Sequence, residues 1–233
     1  MKLKLVKKVQ EARGTKSFFW EPEKPIEYLP GQFYYFTLPK LNYPDPRGST
    51  RHFTISSSPT EKGLISCTVR IRQESGYKKT LDELKIGDKI EGEGPNGTLI
   101  LDENEQNKTH IFLAGGIGIT PFRSFIKYNI DKQLKIPMYL IYSNSDSDFV
   151  FKKELETWQK EYDYIKVEFF DTSKSGHLDS EKVLELIGNW KLEIGNSVFW
   201  TVGPPGFTNA MEEVLEKLKV KSDNIREEKF TGY

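Results

Sequence analysis

The feature that most restricts how this chain can fold is a change of period near residue 105. Before it, short runs alternate apolar and polar residues over 3–11, 16–20, 32–38, 51–57, 64–72, 88–93 and 97–101. A period of two suits half-buried strands. Turns bearing Pro and Gly separate the runs, among them Leu29-Pro30-Gly31-Gln32 and Gly94-Pro95-Asn96-Gly97, and one helical segment, about 77–84, interrupts them. Many short strands within about 100 residues predict a small antiparallel β-barrel, here over residues 1–104.

After the polar stretch 102–108 every apolar run leads into a helical one. Strand 110–114 precedes helix 121–131, strand 138–143 helix 150–161, strand 165–170 helix 180–187, and strand 198–202 helix 208–219. A last strand, 225–230, closes the chain. This alternation predicts an α/β domain over 105–233, with a five-stranded parallel sheet and helices on both faces. The fold class is then α+β with two domains, a barrel followed by an α/β domain. Ligands of such parallel sheets sit at the carboxyl ends of strands, where strand order reverses. The loops after 114 and after 202 are therefore the expected seats of chemistry.

Composition excludes several function classes. The 34 basic and 34 acidic side chains cancel, so no net charge draws the chain to nucleic acid or an anionic membrane. Cys67 is the only cysteine, which excludes an internal disulfide and a protein-held iron–sulfur cluster. It lies in an alternating apolar run and reads as a small buried hydrophobe. His52, His110 and His177 have no metal-ligand spacing, so no metal site is expected. The first eight residues alternate lysine with apolar side chains, as in a half-exposed strand, and lack the apolar core of a secretory signal. No run approaches the ~20 apolar residues of a membrane span. A cytoplasmic protein is expected.

Three segments carry chemistry. In Ala114-Gly115-Gly116-Ile117-Gly118-Ile119-Thr120-Pro121, glycines after a strand allow a tight turn and close backbone approach to an anion. Thr120 suits an N-cap and Pro121 the first helical position. Trp200-Thr201-Val202-Gly203-Pro204-Pro205-Gly206-Phe207 again runs a strand through a glycine loop into a helix. Alone it also reads as a rigid turn; paired with the first segment it supplies a second wall for a dinucleotide. Arg51-His52-Phe53-Thr54-Ile55-Ser56-Ser57-Ser58-Pro59 offers a guanidinium for phosphate, an aromatic ring for stacking and hydroxyls for a ring edge. Alone it reads equally as a strand with a serine-rich turn.

Together the three segments resemble the ferredoxin–NADP reductase family, which joins a flavin-binding barrel to a pyridine-nucleotide domain. The resemblance covers essentially the whole chain. Arg51-His52-Phe53-Thr54 is similar to the family's Arg-x-Tyr-Ser/Thr element, with phenylalanine keeping the ring and losing a hydroxyl. By that resemblance Arg51 binds flavin phosphate, Phe53 packs on the isoalloxazine and Thr54 hydrogen-bonds near N5. Pro30-Gly31-Gln32-Phe33 is similar to the family's entry into a barrel strand. The second phosphate element is matched loosely by Ser75-Gly76-Tyr77-Lys78-Lys79-Thr80-Leu81, with Lys79 where a hydroxyl is expected. Gly76, Tyr77, Lys78 and Thr80 are its candidates. Arg70 falls where a basic flavin contact is common, and also suits a solvent-facing strand position.

In the second half, Gly116, Gly118, Thr120 and Pro121 match the family's pyrophosphate loop, and Gly203 and Pro204 its loop beside the nicotinamide. Val202 stands where many members have cysteine. Glu228-Lys229-Phe230 resembles a terminal Glu-x-aromatic element that covers the flavin, with Tyr233 a second candidate ring. A frayed polar tail is the alternative. The resemblance implies FAD rather than FMN, and NADH or NADPH as the hydride source, with Thr54, Glu228 and Phe230 nearest the chemistry. The two domains would then clamp flavin and nicotinamide face to face. The electron acceptor is left open among ferredoxin, flavodoxin, an oxygenase component and free flavin. A free-flavin reductase and an electron-transfer subunit of a larger complex are the competing readings. The segment 142–148 has no arginine to take a 2′-phosphate and carries Asp146 and Asp148, which favours NADH; Lys174, in the loop after the third strand, and the serine hydroxyls speak for NADPH.

Overall fold

The structure is a computed structural model, and it describes residues 1–61 and 63–231. The chain forms two compact units. One comprises residues 1–101 together with 123–132, and the other 102–122 together with 133–233. The first unit thus takes in residues well past the change of period.

The first unit contains β1 (Lys2–Ala12), β2 (Thr15–Pro22), β3 (Phe33–Thr37), β4 (Thr50–Thr54), β5 (Ile65–Arg70), α1 (Gly76–Glu83) and β6 (Lys89–Asn96). They form one antiparallel sheet in the order β4-β3-β6-β1-β2-β5. An antiparallel bridge between Ile55 and Cys67 joins the two end strands and closes the barrel. The lysine–leucine alternation of β1 does what its period requires: Leu3 and Leu5 are fully buried, while Lys2 and Lys4 face solvent. Phe18, Trp20, Tyr34 and Phe36 fill the interior with them. Helix α1 starts behind the N-cap Ser75 and sends Tyr77 and Leu81 into this core, where the Tyr77 hydroxyl donates to Phe36 O at 2.9 Å.

The expected strand at 97–101 does not form. β6 ends at Asn96, and Gly97 turns the chain away with φ of +102°. Leu99 and Leu101 are nonetheless buried, so the alternation correctly marked inward side chains on a segment that joins no ladder. Gly31 explains why the preceding turn needs glycine: a Cβ there would lie 2.1 Å from Leu99 O.

The second unit contains β7 (Thr109–Gly115), α2 (Ile119–Asp131, shared with the first unit), β8 (Met138–Asn144), α3 (Lys152–Glu161) and β9 (Ile165–Asp171). It continues with α4 (Thr172–Ser175), α5 (Ser180–Asn189), β10 (Ser197–Gly203), α6 (Pro205–Lys217) and β11 (Ile225–Lys229). All five strands are parallel, in the order β11-β10-β7-β8-β9. The chain builds outward from β7 to β9 and then returns to the other side of β7. The order reverses between β7 and β10, which puts the loops after Gly115 and Gly203 side by side. Ile111, Leu113, Ile141, Phe199 and Leu215 are among the residues of a core on one face. The short α4 was not anticipated, and α2 and α6 begin two and three residues earlier than the periodicity suggested, whereas α3 begins two later.

Candidate functional site

Among the described residues of the barrel unit, strand pairing across β4 and β5 is confined to the Ile55–Cys67 bridge and does not continue toward Arg51. Arg51 and Phe53 lie on this open stretch of β4. The Arg51 side chain is 7% exposed and forms an ion pair with Asp45 at 2.5 Å. It also donates to the carbonyls of Arg47, Gly48 and Thr50 at 3.0, 3.0 and 2.7 Å. Its guanidinium lies over the Tyr77 ring, 5.1 Å from the centroid. Phe53 is half-buried, 5.9 Å from the Phe36 ring and 6.1 Å from Tyr77. Thr54 is buried and Arg70 is exposed at the end of β5.

Asp45 had no place in the sequence motifs, yet it organises this region. Its carboxylate accepts from the Ser75 hydroxyl at 3.0 Å, from Tyr77 N–H at 2.9 Å and from Arg47 N–H at 3.0 Å, in addition to Arg51. Burial pushes its pKa up, but the Tyr77 and Arg47 N–H groups, the Ser75 hydroxyl and the Arg51 charge outweigh it and hold the carboxyl down to about 2. Lys78, one residue further along α1, is buried. Burial first, then the charges of Arg72, Arg51 and Arg47, lower its ammonium to about 8, with Glu74 opposing. Four cations therefore crowd the first turn of α1, whose N–H groups add their own positive end. Arg47 and Arg72 were missed because they lie outside the recognised segments, and Arg47 comes near α1 only through the fold. Gly76 is packed beneath the chain: a Cβ would stand 2.3 Å from Pro44 O. Thr80 gives its hydroxyl to Gly76 O at 2.8 Å and accepts from Asn42 N–H at 3.0 Å.

The serines after Thr54 serve the barrel. Ser56 Oγ bonds Ser66 Oγ and Thr68 Oγ1, both at 2.9 Å, and Ser57 Oγ accepts from Ser66 N–H at 2.9 Å. Within the same unit Arg123 donates to Ser56 O at 3.0 Å and pairs with Glu61 at 2.5 Å, while Ser124 donates to Ser57 O at 2.8 Å.

In the second unit the two glycine loops lie against each other. Gly118 admits no side chain, because a Cβ would stand 2.1 Å from Val202 O. A Cβ on Gly203 would stand 3.1 Å from Gly115 Cα. Gly116 differs: its φ is +53°, and nothing comes closer to a Cβ than Asn144 Oδ1 at 4.0 Å. Gly116 therefore supplies backbone freedom on an open side, and Gly118 supplies close packing between loops. Thr120 is not an N-cap. The helical path starts with a 3₁₀ turn at Gly116–Gly118, and Thr120, inside α2, donates to Ile117 O at 3.1 Å. Pro121 accordingly occupies the third position of α2 rather than the first, still within the turn that tolerates a missing N–H. Pro204 is the residue before α6, and its carbonyl accepts from Phe207 N–H at 2.9 Å.

β11 brings the terminal segment to the same strand ends. Glu228 pairs with Val202, and Phe230 N–H donates to Gly203 O at 2.8 Å. Burial raises the Glu228 carboxyl to about 7. Tyr233 lies outside the described residues. Beyond β8, the Asn144 amide ties down Asp146 Oδ1 at 3.0 Å, and Lys174 pairs with Asp171 at 3.4 Å.

These residues suit the cofactors that the motifs imply. The Asp45 carboxylate shows that the first turn of α1 with Arg51 accepts an oxyanion, and the surrounding cations match the charge of a diphosphate. At the strand ends of the second unit Gly116 leaves open space beside its backbone, as close approach of a dinucleotide requires.

Comparison with known proteins agrees. The signature of oxidoreductase FAD-binding domains matches residues 2–100, and that of oxidoreductase NAD-binding domains residues 112–213. Flavohemoprotein A of Dictyostelium discoideum is 26% identical over 239 residues, a match covering 96% of this chain and 58% of that protein. The glycine betaine monooxygenase reductase subunit of Pseudomonas aeruginosa is 27% identical over 241 residues, covering 98% and 63%. The chain thus spans about six-tenths of the length of these curated relatives. In fold it is similar to the flavohem-like FAD/NAD-binding domain of nitric oxide dioxygenase from Vibrio cholerae, with a TM-score of 0.81 at 20% identity and 98% of both chains covered. Among the described residues, no helix is long and apolar enough to cross a membrane. With an FAD-binding barrel and an NAD-binding α/β unit in this order, the chain belongs to the ferredoxin–NADP reductase family of flavoprotein oxidoreductases.

Proposed function

We propose that the chain is an NADH-dependent flavoprotein reductase that holds FAD as a resident group and delivers electrons to a separate redox partner. The observation that carries this reading is the oxyanion seat of Arg51, Ser75 and Tyr77 N–H, with Lys78 beside it, in a barrel matched to FAD-binding domains. Such a seat favours FAD, whose diphosphate spreads charge over several cations, above FMN. When bound, the nicotinamide supplies a hydride and the flavin accepts it and releases electrons.

The residues orient and bind. Arg51 and the start of α1 would hold the diphosphate, Phe53 would pack on the flavin ring, and Thr54 would offer it a hydroxyl. Gly116 leaves the strand end open to the nucleotide's phosphates. Gly203 and Pro204 shape the loop for the nicotinamide. Glu228, with its raised pKa, can hold or release a proton near neutral pH, and Phe230 is the aromatic side chain that would cover the flavin. Asp146 and Asp148 follow β8 where a ribose is read, which supports NADH. Relatives named as flavohemoproteins and as a monooxygenase reductase subunit point to a haem or oxygenase component as acceptor.

The visible spectrum of the purified chain tests this, recorded anaerobically during titration with NADH and with NADPH. The expected result is a yellow protein that bleaches with NADH and releases FAD on denaturation. A colourless protein that only reduces added flavin would make flavin a substrate instead. A preference for NADPH of tenfold or more in kcat/KM, about 1.4 kcal/mol, would overturn the NADH assignment.

A further inference from the structure

Asp45 lies in the turn Pro44-Asp45-Pro46-Arg47-Gly48 leading into β4, and its side chain is 4% exposed. One carboxylate oxygen takes the Arg51 guanidinium at 2.5 Å and Arg47 N–H at 3.0 Å. The other accepts from the Ser75 hydroxyl at 3.0 Å and Tyr77 N–H at 2.9 Å. An aspartate turn accounts for the Arg47 bond alone. The remaining donors are a free N–H in the first turn of α1, the hydroxyl of its N-cap and a buried guanidinium. This is the donor set that a phosphate oxygen uses.

A carboxylate and a phosphate cannot both occupy these donors. We infer that Asp45 is a built-in competitor for the FAD diphosphate, holding the seat's donors in place and giving them up when the cofactor loads. The inference rests on the flavin reading above. The exchange needs no movement of the turn. The carbonyls of Pro44 and Tyr43 lie 2.3 and 2.6 Å from where a Gly76 Cβ would be, so that stretch of backbone is packed onto α1. Rotation about the Asp45 side-chain bonds is enough to free Ser75, Tyr77 and Arg51. Until then the carboxylate offsets the cations gathered there and keeps them aimed at one point. The cost falls on affinity, because a seat open for only a fraction of the time weakens apparent binding by that fraction. Flavins without phosphate escape the competition.

The test compares FAD and riboflavin binding to the full chain, stripped of flavin and titrated by fluorescence. Asp45→Asn keeps the size and an acceptor oxygen but removes the charge. Its FAD Kd is expected to fall about tenfold or more, with riboflavin affinity unchanged. Weaker FAD binding in this variant overturns the inference, since the carboxylate would then be positioning Arg51 for the cofactor. An equal change for FAD and riboflavin overturns it as well, because the effect would not be at the phosphate. Asp45→Ser carries the same expectations if the asparagine variant folds poorly. A structure of the FAD-loaded wild type decides independently of any variant. Ser75 and Tyr77 N–H on phosphate oxygens, with Asp45 turned away, supports the exchange; Asp45 still bonded to both excludes it. Wild type that takes up no FAD at all removes the flavin reading and this inference together, whereas the other negative outcomes remove only the inference.

Discussion

The two units meet phosphate chemistry in opposite ways. The barrel unit gathers charged side chains at the start of one helix, and one of its own carboxylates sits among them. The α/β unit removes side chains until two loops touch backbone to backbone. A site made of charges depends on charge balance, because each buried ion depends on its partner. A site made of close backbone approach is indifferent to charge and intolerant of a single methyl group.

The largest effect that would break this contrast is at Arg51. Replacing it with alanine strands the buried Asp45 charge and is expected to cost about 3–5 kcal/mol of stability, read from urea unfolding. Adding Asp45→Asn should recover most of that loss. A single variant as stable as wild type would show that the pair carries no weight. Second comes Gly118→Ala against Gly116→Ala. The added methyl at 118 meets Val202 O, so overpacking of about 2–3 kcal/mol is expected with a raised KM for NADH. At 116 there is space, leaving the left-handed backbone cost of about 1–2 kcal/mol. Thermal melts of the two variants side by side decide the ranking, and equal losses would dissolve the distinction between a packing and an open glycine.

The smallest effect is in pH. Burial pushes the carboxyls of both Asp45 and Glu228 up, yet one is held down to about 2 and the other raised to about 7. Only Asp45 has donors around it; Glu228 feels burial alone. Between the ordinary glutamate range and about 7, the folded protein keeps a proton on Glu228 that the unfolded chain releases. Its contribution to stability is therefore full at the acid end and is lost as pH rises through that window. Glu228→Gln should remove that slope from urea midpoints measured between about pH 4.5 and 8. A slope that persists in the variant belongs to another group.

Much of the architecture was legible because it rests on local periodicity. The alternation in β1 and the strand–helix succession after 105 both place their residues where the structure has them. The failures occur where side-chain pattern and backbone part company. Leu99 and Leu101 point inward as their spacing implies, but Gly97 has already taken the backbone out of the sheet. Thr120 has the chemistry of an N-cap, yet the glycines ahead of it begin the helical path first. At the site, Arg51 and the glycine loops could be found from motifs. Asp45 could not, since its partners Ser75 and Tyr77 lie about thirty residues away and nothing in its turn announces them.

The bonds from Arg123 and Ser124 to Ser56, Ser57 and Glu61 have a consequence for the order of synthesis. A ribosome delivers the barrel strands first, but Arg123 and Ser124, which add their bonds to the serine turn, arrive only after β7 has been made. At about 5–20 residues per second, the barrel spends seconds with all its strands available and without those bonds. The change of period at residue 105 marks a change of architecture without marking a finished module.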